Sequence, residues 1–308
     1  MSKEDTAMPT ADYEAIITAV WQQDRSTPRS IADQRAENDA FGEMLVPPAE
    51  AHVESATGTP VPALWVCMPQ VAEETVIMWL HGGGYVIGSP RGYRRLGADL
   101  SAGSGARVLI PDYRLAPEHP FPAAIDDAVA IYTWLLDIGG SPERIIIGGD
   151  SAGAGLTVAT LVALRDRAMP LPAGAVLLSA FADLTLSPSS WHSRRGLDSL
   201  VGDHNAPAIA AAYLGDADPT TPLASPVYAD LHGLPPLLIL VGDHEVLLDD
   251  STTLAARAQA DGVDVTVRVF DGLHHIWPVF APHTGEAREA IDVVNDFIRD
   301  HIRGADHE

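Results

Sequence analysis

A mostly parallel α/β sheet is the architecture this sequence predicts, and three observations predict it. Short apolar runs recur along the chain at 61–68, 76–80, 107–110, 144–147, 175–178, 237–241 and 265–270. Most lack polar alternation, the pattern of strands covered on both faces. Helical segments lie between them at 123–136, 152–167 and 251–259, and strands alternating with helices build parallel sheets. The composition agrees: 308 residues, 46% of them hydrophobic, can bury one large core.

The elements follow in order. Residues 11–24 read as a helix because Ile16, Ile17, Val20 and Trp21 fall on one face. Thr10 is placed to cap it, with Asp12 and Glu14 near its positive end. A second amphipathic piece covers 31–44 and stops before Pro47-Pro48. Both precede the first strand and can sit over the sheet instead of beside it. The interval 184–236 breaks the strand–helix rhythm. It is marked by Ser, Pro, Trp and His and has one helical patch, 206–213. It reads as an insertion above the sheet edge, a place that carries function more often than framework.

With 19 basic and 42 acidic residues the formal charge is −23. Such a surface repels phosphate backbones and anionic lipid heads, so nucleic-acid and membrane partners are disfavoured. Cys67 is the single cysteine; no intrachain disulfide and no cysteine-rich metal site can form. It lies in an apolar run and reads as a core filler. The first residues are polar and acidic, without the basic start and apolar run of a signal peptide. No stretch approaches the ~18 apolar residues of a membrane span. A cytoplasmic location is the expectation.

Four motifs carry chemistry. Gly149-Asp150-Ser151-Ala152-Gly153 fits G-x-S-x-G, with an apolar strand before it and a helical pattern after it. A sharp turn there forces the serine into strained geometry and holds its Oγ exposed at the helix N-terminus. His81-Gly82-Gly83-Gly84-Tyr85 follows the 76–80 strand. Three glycines in a row cost chain entropy, and bare N–H groups aimed at a developing oxyanion give them a reason. His274-His275 stands just past the last strand, where a general base belongs. Only one of two adjacent histidines can serve. After the 237–241 strand, Asp243, Glu245, Asp249 and Asp250 all compete to orient that histidine, and Asp249 and Asp250 can also cap the helix near Ser251. Spacing alone leaves this open.

At these residues the sequence resembles the hormone-sensitive-lipase-like (bacterial family IV) esterases, near monoterpene ε-lactone hydrolases and acetyl hydrolases. The matching motifs are HGGGYV at 81–86, DYRLAPEHPFPA at 112–123, GDSAGAG at 149–155, VGDHEVLLDD at 241–250 and DGLHHIW at 271–277. The resemblance implies an α/β-hydrolase fold: one domain over 1–308, a mostly parallel eight-stranded sheet flanked by helices, and a helical cap from about 1–48 and about 184–224. It implies Ser151 as nucleophile, His275 as base, Glu245 as acid, and the N–H groups of Gly83, Gly84 and Ala152 as the oxyanion hole. Many relatives carry Asp at the acid position, so Glu245 departs from their pattern. Arg114 and Glu118, in the 112–123 motif, are expected to pair and hold a loop.

The activity implied is hydrolysis of short-to-medium acyl esters through an acyl-enzyme, with no metal or cofactor required. A lactone is the alternative substrate for the same machinery. A non-catalytic small-molecule receptor is the rival of another class. Plant gibberellin receptors resemble this family but lack the catalytic histidine, whereas Ser151, Glu245 and His275 are all present here. The resemblance also implies homodimerisation through the last strand.

Overall fold

The protein is described from a computed structural model that covers residues 11–18, 29–198, 200–202 and 204–303. Among these residues one eight-stranded sheet forms: β1 (His52–Ser55), β2 (Ala63–Cys67), β3 (Ala72–Leu80), β4 (Ala106–Pro111), β5 (Ile145–Asp150), β6 (Gly174–Leu178), β7 (Leu237–Gly242) and β8 (Val265–Phe270). Their spatial order is β1-β2-β4-β3-β5-β6-β7-β8. β2 runs antiparallel to β1 and β4, and every pairing from β4 to β8 is parallel.

β5, β6 and β7 are buried at every position, as unbroken apolar runs require. β8 alternates because it is the edge. β1 was not foreseen: its four residues, HVES, carry no apolar run.

Helices cover both faces. α1 (Ala11–Ile16) and α2 (Ile31–Met44) precede the sheet. α3 (Arg94–Ser104) and α9 (Gly285–Arg303) pack together on one face. On the other lie α4 (Ala123–Asp137), α5 (Ala152–Asp166) and α8 (Leu248–Ala260). Between β6 and β7 come the short α6 (Ser190–Ser193) and α7 (Ala206–Leu214). α2 keeps the expected bounds, with Ser30 Oγ accepting the Asp33 N–H at its start. Tyr13 of α1 and Ile17 just after it lie inside, while Thr10 and residues 19–24 of the expected first helix lie outside the described residues. α5 is apolar all round, and every residue from Ala152 to Leu164 is buried.

The chain leaves β3 toward β4 on one side and returns past it to β5 on the other. Open α/β sheets bind ligands at the carboxyl ends of the strands beside such a reversal, here β3 and β5. The 81–84 loop follows β3 and Ser151 follows β5. The insertion and the N-terminal helices reach this end of the sheet. Ile209 of α7 presses on Gly84, Tyr213 stacks on Tyr85 at 3.7 Å between ring centres, and Arg35 of α2 donates to the carbonyls of Val86 (2.9 Å) and Ala116 (3.0 Å).

The expected Arg114–Glu118 pair does not form. Arg114 clamps Asp127 of α4, with Nε–Oδ2 at 2.9 Å and Nη2–Oδ1 at 2.7 Å. Glu118 accepts from the two terminal guanidinium nitrogens of Arg35, Nη1 at 2.9 Å and Nη2 at 2.7 Å. Each residue does hold the loop, but to a different helix. A forked guanidinium prefers a partner it can meet with two parallel bonds, and α4 and α2 bring such partners to Arg114 and Glu118.

Candidate active site

Ser151 has φ 54° and ψ −121°, a conformation that side chains rarely adopt. Strain of this kind costs about 1–3 kcal/mol and persists only where the surroundings over-determine it. Here the Ser151 N–H donates to Leu178 O at 2.8 Å. Its carbonyl accepts from Ala154 (3.1 Å), Gly155 (3.2 Å) and Phe181 (3.0 Å). Gly153 lets the helix enter: a Cβ there would run into the carbonyl oxygen of Leu80. The sequence suggested an exposed hydroxyl, but Ser151 is only 6% exposed.

A hydrogen-bonded chain runs from the serine. Ser151 Oγ lies 3.0 Å from His275 Nε2, and His275 Nδ1 lies 3.0 Å from Glu245 Oε2. The other oxygen of Glu245 accepts from the Gly242 N–H at 2.7 Å and from Ser179 Oγ at 2.8 Å. His275 and Glu245 are both buried. Burial alone would push His275 down; the hydrogen bond and charge of Glu245, with the charges of Asp198 and Asp150, carry it above the ordinary histidine value instead. The imidazolium is thus favoured inside the protein.

The rival acids are occupied elsewhere. Asp243 accepts the Gly272 N–H at 2.7 Å and holds the histidine loop. Asp249 accepts from Ser189 Oγ (2.6 Å) and the Ser190 N–H (2.8 Å). Asp250 accepts the N–H groups of Ala182 (3.1 Å) and Asp183 (2.9 Å) and Trp191 Nε1 at 3.3 Å. His274 turns away from Ser151: its backbone N–H donates to Tyr13 Oη at 2.8 Å and its ring meets His244 edge-on. Burial and the neighbouring His244 push it down to about 4.

The N–H groups of Gly83, Gly84 and Ala152 make no hydrogen bond within the described residues. Gly83 at φ 113° and Gly84 at φ 63° adopt backbone that favours glycine. This loop is tied to the serine turn. The Gly82 N–H donates to Tyr93 Oη at 2.9 Å, and Tyr93 Oη–H donates to Asp150 Oδ2 at 2.7 Å. Trp79 Nε1 donates to the other Asp150 oxygen at 3.2 Å. Burial pushes Asp150 up to about 6 against these bonds.

Sequence reading missed Tyr13, Tyr93, Asp150, Ser179 and Asp198. Only Asp150 left a signal: an acid at the end of a buried strand, next to the serine, has to find donors.

The arrangement offers a hydroxyl with a base at its oxygen, a carboxylate behind the base, and donors on a separate loop. That is the equipment for acyl transfer. Among the described residues no group of three or more His, Cys, Asp or Glu could hold a metal ion, and no helix is long and apolar enough to cross a membrane.

Known proteins fit this geometry. A family model described as alpha/beta hydrolase fold matches residues 77–279. An acetyl-hydrolase of Streptomyces hygroscopicus is 44% identical over 272 residues, 88% of this chain and 89% of that protein. An esterase of Acinetobacter venetianus is 36% identical, over 74% of this chain and 76% of that protein. The crystal structure of an esterase from the bacterial hormone-sensitive lipase family superposes with a TM-score of 0.92 at 41% identity, covering 98% of this chain and 100% of that one. The chain belongs to the alpha/beta hydrolase fold family, in its hormone-sensitive-lipase-like branch.

Proposed function

We propose that the protein is a serine carboxylic ester hydrolase with Ser151 as nucleophile, His275 as base and Glu245 as the acid that orients it. One observation carries the reading: the buried hydrogen-bonded chain from Glu245 through His275 to Ser151 Oγ, with both links at 3.0 Å. Ser151 attacks the ester carbonyl while His275 takes its proton. The N–H groups of Gly83, Gly84 and Ala152 bind the oxyanion. His275 then protonates the leaving alcohol, and water repeats the sequence on the acyl-enzyme. Turnover of p-nitrophenyl acetate tests the reading against a receptor, which would bind the ester and leave it intact.

Glu245→Gln is expected to lower kcat on the order of 10³–10⁴-fold, because an amide stabilises neither the required tautomer nor the imidazolium. Asp249→Asn, in the same loop region but bonded to Ser189 and Ser190, should stay within about tenfold of wild type. The pair is compared at equal folded content by circular dichroism, and the reverse ranking would remove Glu245 from its role.

The substrate class we infer is a short-to-medium acyl ester. Residues about 1–48 and about 184–224 act as a cap in this reading, supported by the contacts of α7 with Gly84 and Tyr85 and of α2 with Val86. Each added methylene contributes ~0.8 kcal/mol only while it is buried, so kcat/KM should rise over a few carbons and then fall. A p-nitrophenyl ester series from two to sixteen carbons reads this directly. A rate still climbing at twelve carbons, or activation at an oil–water interface, counts against it. The charge of −23 supports a dissolved substrate over one at an anionic surface. β8, the sheet edge with Thr266 and Arg268 exposed, is the strand through which two copies would pair.

A further inference from the structure

We propose that Asp198, a buried residue of the insertion, is a positioning residue for the Glu245–His275 pair: it fastens the acid's loop and presents a second carboxylate to the imidazole. The proposal rests on the assignment of Ser151, His275 and Glu245 made above.

Among the described residues around it, Asp198 has no regular structure beyond an isolated bridge to Arg195, yet it is only 5% exposed. A carboxylate in such a place needs donors, and all of those it has are backbone. Oδ1 accepts the N–H groups of Leu200 (3.1 Å) and Val201 (3.0 Å), closing a turn of the insertion. Oδ2 accepts the N–H of Val246 at 3.3 Å. Val246 is the residue after Glu245. One side chain therefore joins the insertion to the loop that carries the acid.

Through Val246 it stands one residue from the acid, within electrostatic range of the imidazole. The ionisable groups around His275 are Glu245 from the loop after β7, Asp198 from the insertion and Asp150 from the end of β5. His274 beside it is held neutral by burial and His244, and burial keeps the Tyr13 phenol of α1 protonated. Burial pushes Asp198 up to about 6, with the attraction of His275 pulling it down and Glu245 pushing it up. Near neutral pH it is ionised, and it favours the imidazolium that forms as Ser151 attacks.

The test is the pH dependence of kcat/KM on p-nitrophenyl butyrate for wild type, Asp198→Asn, Asp198→Ser and Asp198→Glu. The serine variant keeps an acceptor for the Leu200 and Val201 turn, so it guards against misfolding of the asparagine variant. Turnover needs neutral His275, so activity is lost below its pKa. The wild-type acidic limb is expected above the ordinary histidine range, because the charge and hydrogen bond of Glu245 outweigh burial at His275. Removing a nearby negative charge destabilises the cation, so the limb should move to lower pH by roughly half a unit or more in both neutral variants. kcat should fall on the order of tenfold with KM within about twofold, the mark of an interaction strengthened in the transition state. Asp198→Glu should hold the limb near its wild-type position.

A limb that stays put or rises in both neutral variants overturns the proposal, even if kcat falls, since a merely structural residue would do that. Labelling of wild-type Ser151 by a fluorophosphonate is run alongside. If Ser151 is not labelled, the underlying assignment fails first; if it is labelled and the limb is unmoved, only the role of Asp198 fails.

Discussion

Ser151→Ala is expected to lower kcat on the order of 10⁴-fold or more, the loss shown when one member of a unit that acts together is removed. The hydroxyl is the atom His275 Nε2 addresses at 3.0 Å, and no other serine contacts that nitrogen among the described residues. Ser179, the other buried serine of the site, has Glu245 Oε1 and the Ile276 N–H as its partners. The variant should fold: Ser151 is held in its strained backbone by main-chain hydrogen bonds that alanine retains. A fluorophosphonate probe followed by peptide mapping should mark Ser151 in the wild type and nothing in the variant. A label at any other serine would move the nucleophile elsewhere.

The two adjacent histidines should separate almost as widely. His275→Ala removes the base and should leave activity on the order of 10⁴-fold or more below wild type. His274→Ala should stay within about tenfold, because alanine keeps the 2.8 Å backbone bond to Tyr13 Oη and loses only the longer 3.4 Å contact of the ring Nδ1 with it. The ring of His274 is pushed down to about 4 by burial and its neighbour, and its edge-on contact with His244 points it away from the reaction. Steady-state kinetics at equal folded content decides. Equal losses in both variants would mean that the histidine loop acts as one structural piece and that the choice of base lacks support.

The parallel frame was legible because its cause is local. A strand covered on both faces has to be apolar throughout, and 265–270 was placed to the residue. The serine turn was legible for the same reason: strand, glycines and helix follow one another in the chain. Elements whose existence depends on distant partners were not. β1 is a short polar strip that becomes a strand only against β2. α3 and α9 went unread although they cover one whole face of the sheet. Arg114 and Glu118 were paired with each other because they are close in sequence, whereas Asp127 and Arg35 reach them through space. Ser179, Tyr93 and Asp198 have no motif. Each becomes meaningful only when folding brings a second segment to within hydrogen-bonding distance, and a linear pattern holds no record of that.

α5 leaves little mutational latitude around the nucleophile. From Ala152 to Leu164 every side chain is enclosed, so an added methylene there costs about 1–3 kcal/mol of overpacking, and a methyl on Gly153 collides with the β3 backbone. The insertion is built otherwise: α7 exposes Pro207, Ala208 and Ala211 while Ile209 and Tyr213 face the loop beside the serine. Selection for new acyl or alcohol groups therefore has somewhere to act that the chemistry does not occupy. Lineages diverging in substrate should keep 149–155 and Asp198 nearly fixed and let α7 drift, so that diversity of taste accumulates on that helix while the chemistry beside it stays the same.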